Sequence, residues 1–477
     1  MSVRDRPLEV VPETGVLELN SVPMGALELP SVPTGTLELP SVPIRVGTST
    51  LAPRLGLAGV LVTGGVLALS AAKTDDLVPA SVRPMPAWLA GLFAHTGVPL
   101  GHAALISLFT LMFVSYVVAV RRAGEISPRL ALGCIAGLAA FWLLAPVVLS
   151  TDVFSYQAYG RMGTIYATNP YLHGPSTIRL DPLYPFIGSK WVSTPTAYGP
   201  LFTALSYALA HLDISASVVA YKSIAAMAFL ATVGLVWNAA RLRGLDPVRA
   251  AIIVGLNPLT VVWGLGGGHN DLLMLAPLLA GVYLLLQNRQ ATGGVMVAVA
   301  AAIKLTAGVL LPFALVRPQA NRRRLLLGAG VASSLVAALG FVLFGTGQLH
   351  LLPTLRENQA NGNWQSIPGF ISNELGLGDI GRLVSVLLGV AFVAVTGWLL
   401  LQVYRGHLDW IAGAGWATVA MLVTASSLLP WYVAWLTPLA ALSPDRRLRR
   451  WTLTITGVML IINLLSWVPN GSTLLGA

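Results

Sequence analysis

Downstream of residue 50 the chain is a succession of apolar runs separated by short polar links that carry most of its arginines. The runs show neither the two-residue alternation of a half-buried strand nor the narrow stripe of a surface helix. Being apolar on every face, they predict membrane-buried helices of about 20 residues. Residues 55–72, 102–120 and 130–149 form the first three, and 217–237, 249–264 and 272–286 the next. The last are 325–344, 383–403, 411–429, a short 430–442 and 451–467. The run 293–316 is one span long yet is flanked on both sides by basic residues, Arg289 and Arg317. It predicts two half-crossing helices meeting near Lys304, a shape tolerated where protein or water surrounds the turn. The expected fold is an all-α polytopic membrane protein, a bundle of about 13 transmembrane or half-crossing helices.

Arginine gives these runs a direction, because short cytoplasmic loops collect Lys and Arg. Arg121, Arg122 and Arg129, then Arg241 and Arg243, then Arg322 to Arg324, then Arg446, Arg447, Arg449 and Arg450 fall on one side under alternate crossing. That side, with the N-terminus, is expected to be cytoplasmic, which leaves two large extracytoplasmic loops, 150–215 and 345–381. Arg161, Arg179, Lys190, Arg356 and Arg382 then stand outside, and Lys222 and Lys304 lie at membrane depth. Cations so placed need an anionic reason.

Composition agrees, with 55% of the 477 residues hydrophobic and only 10% charged, more apolar surface than a water-soluble core hides. The net charge of +10 is spread over interhelical links rather than one soluble face, so membrane lipids are expected partners and nucleic acid is not. A single cysteine, Cys134, lies within an apolar run and predicts no disulfide or thiolate metal site. Residues 15–44 repeat a decapeptide, GVLELNSVPM, GALELPSVPT, GTLELPSVPI, too short a unit to bury a face of its own. Residues 1–50 therefore read as a flexible cytoplasmic tail, and the first apolar run lies too deep to be a cleaved signal peptide.

Four stretches carry candidate chemistry. In DVFSYQAYGRMGTIYATNPY, Asp152 stands where an apolar run meets the outer surface, with Tyr156, Tyr159 and Arg161 on a shared helical face and Asn169 and Tyr171 beyond. A carboxylate there is placed to take a proton from an alcohol; the alternative is that Thr151 or Asp152 simply caps an interfacial helix. In GLGGGHND, the glycines 264 and 266–268 let backbone amides approach a phosphate at the start of the next helix, with His269, Asn270 and Asp271 beside it. The alternative is a turn capped by Asn270 or Asp271. His269 and Asp271 offer a metal two ligands and no third, so no metal is expected. Lys304 is the lone charge between Gln290 and Val316, which calls for an anionic partner unless it snorkels. In RENQANGNWQS, Asn363 and Trp364 offer an amide and an aromatic face suited to a sugar, though such a loop is also merely hydrophilic. PWYVAW reads first as an interfacial aromatic belt. Walker A, HExxH, GxSxG and Rossmann patterns are absent, so no cofactor and no nucleotide site are expected, and an activated donor would come from the membrane.

The first of these blocks, with YGP at Tyr198 to Pro200, GGGHNDLLM and AIKLTAGVLLPF, resembles the GT-C superfamily of polyprenyl-phosphate-sugar glycosyltransferases. The resemblance is greatest to the actinobacterial α-1,6-mannosyltransferases that elongate lipomannan and lipoarabinomannan, and it runs from about residue 55 to the C-terminus. It implies a GT-C-like catalytic core over 130–477, with 51–129 as two additional N-terminal helices. The activity implied is transfer of mannose from polyprenyl-phosphate-mannose to a lipid-linked mannan, with inversion, on the extracytoplasmic face of a bacterial plasma membrane. Asp152 matches the family's base. Lys304 and His269, with Arg161 and Lys222 as further candidates, are assigned to the donor phosphate. Tyr156, Asn169, Tyr171, Tyr198, Asn270, Asp271, Asn363 and Trp364 are expected to line the sugar and acceptor site. Many members carry the acid in the first outer loop, where KTDDLVP makes Asp76 the rival base. The alternative class is a transporter or flippase of a lipid-linked sugar or anionic substrate, with Lys222 and Lys304 along its path, but the two related halves usual in transporters are not seen.

Overall fold

The computed structural model describes residues 51–360 and 362–467, and every regular element among them is helical. The decapeptide leader, Asn361 and residues 468–477 lie outside the described residues. Helix α1 (Leu51–Ser70) packs against α2 (His102–Arg121) and α3 (Pro128–Leu144), and the link between α1 and α2 is a chain of single 3-10 turns. The first long loop contributes α4 (Asp152–Thr164), further 3-10 turns and α5 (Pro200–Leu209). Next come α6 (Ile214–Leu242), α7 (Pro247–Gly255), a π-helical turn (Leu259–Leu265), α8 (Asn270–Leu286), α9 (Gln290–Ile303) and α10 (Leu310–Val316). After α11 (Arg322–Phe344), the second loop holds α12 (Leu351–Ala360) and α13 (Ile367–Gly369). The long α14 (Gly378–Tyr404) then leads to α15 (Trp410–Thr424), α16 (Val433–Leu442) and α17 (Arg446–Leu465).

Four of the few acids of this apolar chain start helices. Asp213, Asp246, Asp409 and Asp445 cap α6, α7, α15 and α17 by accepting from first-turn amides, and Ser127 followed by Pro128 starts α3 in the same way. Among the described residues six helical stretches are long and apolar enough to cross a membrane: Leu51–Lys73, His102–Arg121, Ile214–Leu242, Arg322–Ala360, Gly378–Tyr404 and Arg446–Leu465. The pair Pro247–Gly255 and Leu259–Leu265, bent by 48°, makes a seventh if counted as one span. The expected count of about 13 is not reached by length and composition, because six other apolar helices have only 10–17 residues against the ~20 needed for a full crossing. Several of these, α8, α9 and α15 among them, are packed inside the bundle, as is the short α16, where neighbouring helices rather than lipid cover their apolar sides.

The run around Lys304 is divided as its flanking charges suggest. Helix α9 stops at Ile303, Lys304 is extended (φ −148°, ψ 121°), and a 3-10 turn leads into α10. Helix α9 lies between α8 and α11, and close approach requires glycine: a Cβ on Gly328 of α11 would collide with the backbone carbonyl of Ala291 on α9. Helix α14 is the opposite case, with almost none of its apolar surface covered by protein.

Candidate active site

Asp152 begins α4, yet neither it nor Thr151 caps that helix through its side chain. The backbone N–H of Asp152 donates to Ser150 Oγ (3.2 Å), which frees the carboxylate to turn inward. There the hydroxyls of Tyr156 and Tyr198 point at Oδ2 at 3.4 and 3.5 Å, and His269 Nδ1 approaches the same oxygen at 3.2 Å without the alignment of a hydrogen bond. The imidazole is fully buried and lies flat on Trp431, with ring centroids 3.7 Å apart and planes 21° apart. Burial pushes the Asp152 carboxyl up. The adjoining His269, the charge of Lys304 and the Tyr156 hydroxyl outweigh that effect and hold it below the usual aspartate range.

The tyrosine wall is held by edge-to-face packing. Tyr156 stands at 87° to Tyr198 and 86° to Phe202, with centroids 5.1 and 4.7 Å away. The Tyr156 hydroxyl also accepts from the backbone N–H of Asn270 at 3.3 Å and lies 3.5 Å from Asn270 Oδ1, tying α4 to the start of α8. Neither Asn270 nor Asp271 caps α8. Asp271 Oδ1 instead accepts from Lys304 Nζ and from the indole N–H of Trp435, both at 2.6 Å. The Lys304 ammonium also lies 4.9 Å from the ring centre of Tyr432 and 5.2 Å from that of Trp435. Trp431 and Trp435 are therefore buried supports of His269, Asp271 and Lys304, a correction to the aromatic-belt reading of PWYVAW. Two turns of chain after a proline pack inward because α16 is enclosed by α7, α8 and α15.

Asp152 opens onto a cavity of about 400 Å³ that Asn363, Trp364, Gln365, Trp431, Arg83 and Lys190 also line. Two of the residues expected from the sequence, Asn363 and Trp364, thus meet Asp152 across one space. Asn363 is fixed by accepting from Leu428 N–H (2.9 Å) and donating to the Leu428 carbonyl (2.6 Å). Burial pulls the Lys190 ammonium below its ordinary value, against the nearby Asp152 charge, which raises it.

The other expected residues are engaged elsewhere. Arg161 pairs with the buried Asp181 at 2.8 Å, and Tyr166 donates to the same carboxylate. Lys222 donates to the carbonyls of Ala145 and Pro146, at the end of α3, where a cation complements the helix dipole. Asn169 donates to the Phe344 carbonyl and accepts from the N–H of Tyr171, whose hydroxyl bonds to the Tyr198 carbonyl and lies 3.1 Å from Thr203 Oγ1. Asp76 lies on the wall of the Asp152 cavity, but its carboxylate is 3.0 Å from His102. Arg83 was unforeseen because it belongs to the link between α1 and α2, read as outside the core. Lys190 carried one signal, its position on the side opposite the arginine clusters. Among the described residues no group of His, Cys, Asp and Glu side chains is arranged to hold a metal ion.

The family described as "Alpha-(1->6)-mannopyranosyltransferase, N-terminal domain" matches residues 53–319, which takes in α2 and all but the first two residues of α1, and the one described as "MptB C-terminal domain" matches residues 365–477. Alpha-(1->6)-mannopyranosyltransferase A of Mycobacterium tuberculosis is 30% identical over 88% of this chain and 84% of its own length. Alpha-(1->6)-mannopyranosyltransferase B of Corynebacterium glutamicum is 27% identical over 72% of this chain and 64% of its own length. No solved structure matches.

Proposed function

Because the chain belongs to the alpha-(1->6)-mannopyranosyltransferase family, a family of membrane glycosyltransferases, we propose that mannose is transferred in the cavity beside Asp152, from polyprenyl-phosphate-mannose to a lipid-linked mannan. The observation that carries this reading is a carboxylate held ionised at the wall of a cavity that also presents two cations, two amides and indole faces. Amides and indoles suit the hydroxyl and C–H faces of a sugar. Cations suit a phosphate leaving group.

In the proposed step the acceptor hydroxyl gives its proton to Asp152 as its oxygen bonds to the anomeric carbon. The bond from that carbon to the phosphate oxygen breaks, and the polyprenyl phosphate departs with the electron pair. One displacement converts a β-linked donor into an α-linked product. Asp152 Oδ2 is crowded by two tyrosines and a histidine, whereas Oδ1 makes no hydrogen bond among the described residues and is the oxygen assigned to the proton. His269, stacked and buried, acts as a positioning residue rather than a phosphate ligand. Lys190 and Arg83 are assigned to the phosphate ahead of Lys304, Arg161 and Lys222 because they line the cavity and those three do not; Arg83 spends only its Nε, on the Val78 carbonyl. The cavity is assigned to the extracytoplasmic face on the arginine asymmetry of the links.

Asp152→Asn in membranes supplied with polyprenyl-phosphate-mannose is expected to lower transfer by about 10²–10⁴-fold, the usual contribution of a general base. Transfer near the parent level would overturn the assignment.

A further inference from the structure

Two cations, Arg356 of α12 and Arg382 of the first turns of α14, play no part in the site beside Asp152. They line a second cavity of about 670 Å³ together with Gln359, Asn373, Ser385 and Val386. Among the described residues the two cavities share no lining residue, and no acidic side chain lines the second. Arg356 has no carboxylate within ion-pair distance among the described residues. Arg382 pairs with Asp379, but both side chains are at least 80% exposed, and water screens such a pair strongly.

Val386 marks where this polar cavity meets the apolar flank of α14. Leu383, Val386, Leu387, Val390 and Val393 recur at i, i+3, i+4, i+7 and i+10 along one side of that helix, each more than half exposed. A bare apolar ladder of that length is not sustained in water and faces acyl chains. The cavity therefore lies at the head of a lipid-facing helix, where a phospholipid places its headgroup.

We propose that this cavity binds the phosphodiester headgroup of an anionic phospholipid, whose acyl chains lie along α14. Guanidinium groups match phosphate oxygens with two parallel hydrogen bonds, and the Gln, Asn and Ser side chains suit a polyol headgroup. Interfacial arginines on a membrane protein attract anionic lipid for the same reason. The site does not depend on the chemistry at Asp152, and its failure would leave that reading untouched.

The test is lipid retention by the full-length protein in nanodiscs containing equal phosphatidylglycerol and phosphatidylcholine, read by native mass spectrometry after detergent release. The parent protein is expected to keep phosphatidylglycerol preferentially. Arg356→Gln with Arg382→Gln is expected to lower that retention about tenfold, the scale of losing two charge-assisted contacts. Arg323→Gln with Arg324→Gln, an equal loss of charge elsewhere, should leave it unchanged. Should the double variant fail to fold, Arg356→Lys with Arg382→Lys serves instead, since charge without the guanidinium fork should keep only part of the retention. Undiminished retention in either double variant overturns the proposal, as does equal retention of phosphatidylcholine. Glycerophosphate displacing the lipid at equal concentration would show a site for soluble phosphate and would overturn the lipid assignment.

Discussion

At Asp152 the two carboxylate oxygens have different company, and that difference has measurable consequences. A group held below its usual range stays ionised until the pH falls through its lowered value, so activity that needs the carboxylate is present above that point and lost below it. The acid limb of kcat/KM is therefore expected below the ordinary aspartate value of 3.8, and His269→Leu, which removes the neighbour that most favours the charged form, should move that limb upward. An unchanged limb in this variant would show that His269 does not tune the base. Lys304 and Asp271 make a separate statement, since their side chains are only 14% and 1% exposed. Losing one member of a buried pair costs about 3–5 kcal/mol by stranding the other charge. Lys304→Met should accordingly lower the thermal midpoint in detergent, and adding Asp271→Asn should recover part of the loss. Additive destabilisation would mean the pair is not coupled.

Between helices, small residues decide how near the site-bearing segments come. Gly328→Ala in α11 forces a Cβ against the Ala291 carbonyl of α9, whose end sets the position of Lys304. It is expected to reduce both thermal stability and transfer. Gly330→Ala, two residues on, meets nothing within 4 Å and should be neutral, or stabilising by about 0.5–1 kcal/mol through reduced backbone freedom. Equal behaviour of the two would remove the packing explanation. The existence of these helices was legible in the sequence because a run apolar on all sides has few other fates. The split near Lys304 was legible too, from one charge inside a run and basic residues at both ends. What the pattern could not distinguish was a full crossing from a short helix enclosed by protein, since α8, α15 and α16 are as apolar as true spans. It also misread PWYVAW, because aromatic spacing is the same whether the rings meet headgroups or a buried histidine.

For the molecule as a whole, arginine asymmetry predicts which links share a compartment. In a Cys134→Ala background, Leu180→Cys in the first long loop should react with a membrane-impermeant maleimide on intact cells, and Arg323→Cys should not. The reverse pattern would place the Asp152 cavity on the cytoplasmic side. Asp152, Asn363 and Trp364 were recognised as candidates separately, from the chemistry of each local stretch. Their meeting across 211 positions, from 152 to 363, was not legible, nor was the arrival of Arg83 from the α1–α2 link, because such contacts depend on helix packing rather than on local pattern.

The chain from Gly362 to Gln365 has one cavity on each side, Gly362 lining the second and Asn363 to Gln365 the first. Any coupling of the two proposed ligands through this partition would be reciprocal: by whatever factor an occupied second cavity changed acceptance in the first, occupancy of the first would change retention in the second. Under the proposed transfer to a growing mannan, such a factor would govern processivity. If it favours joint occupancy, long products accumulate while most acceptors remain untouched; if it opposes joint occupancy, all chains lengthen together.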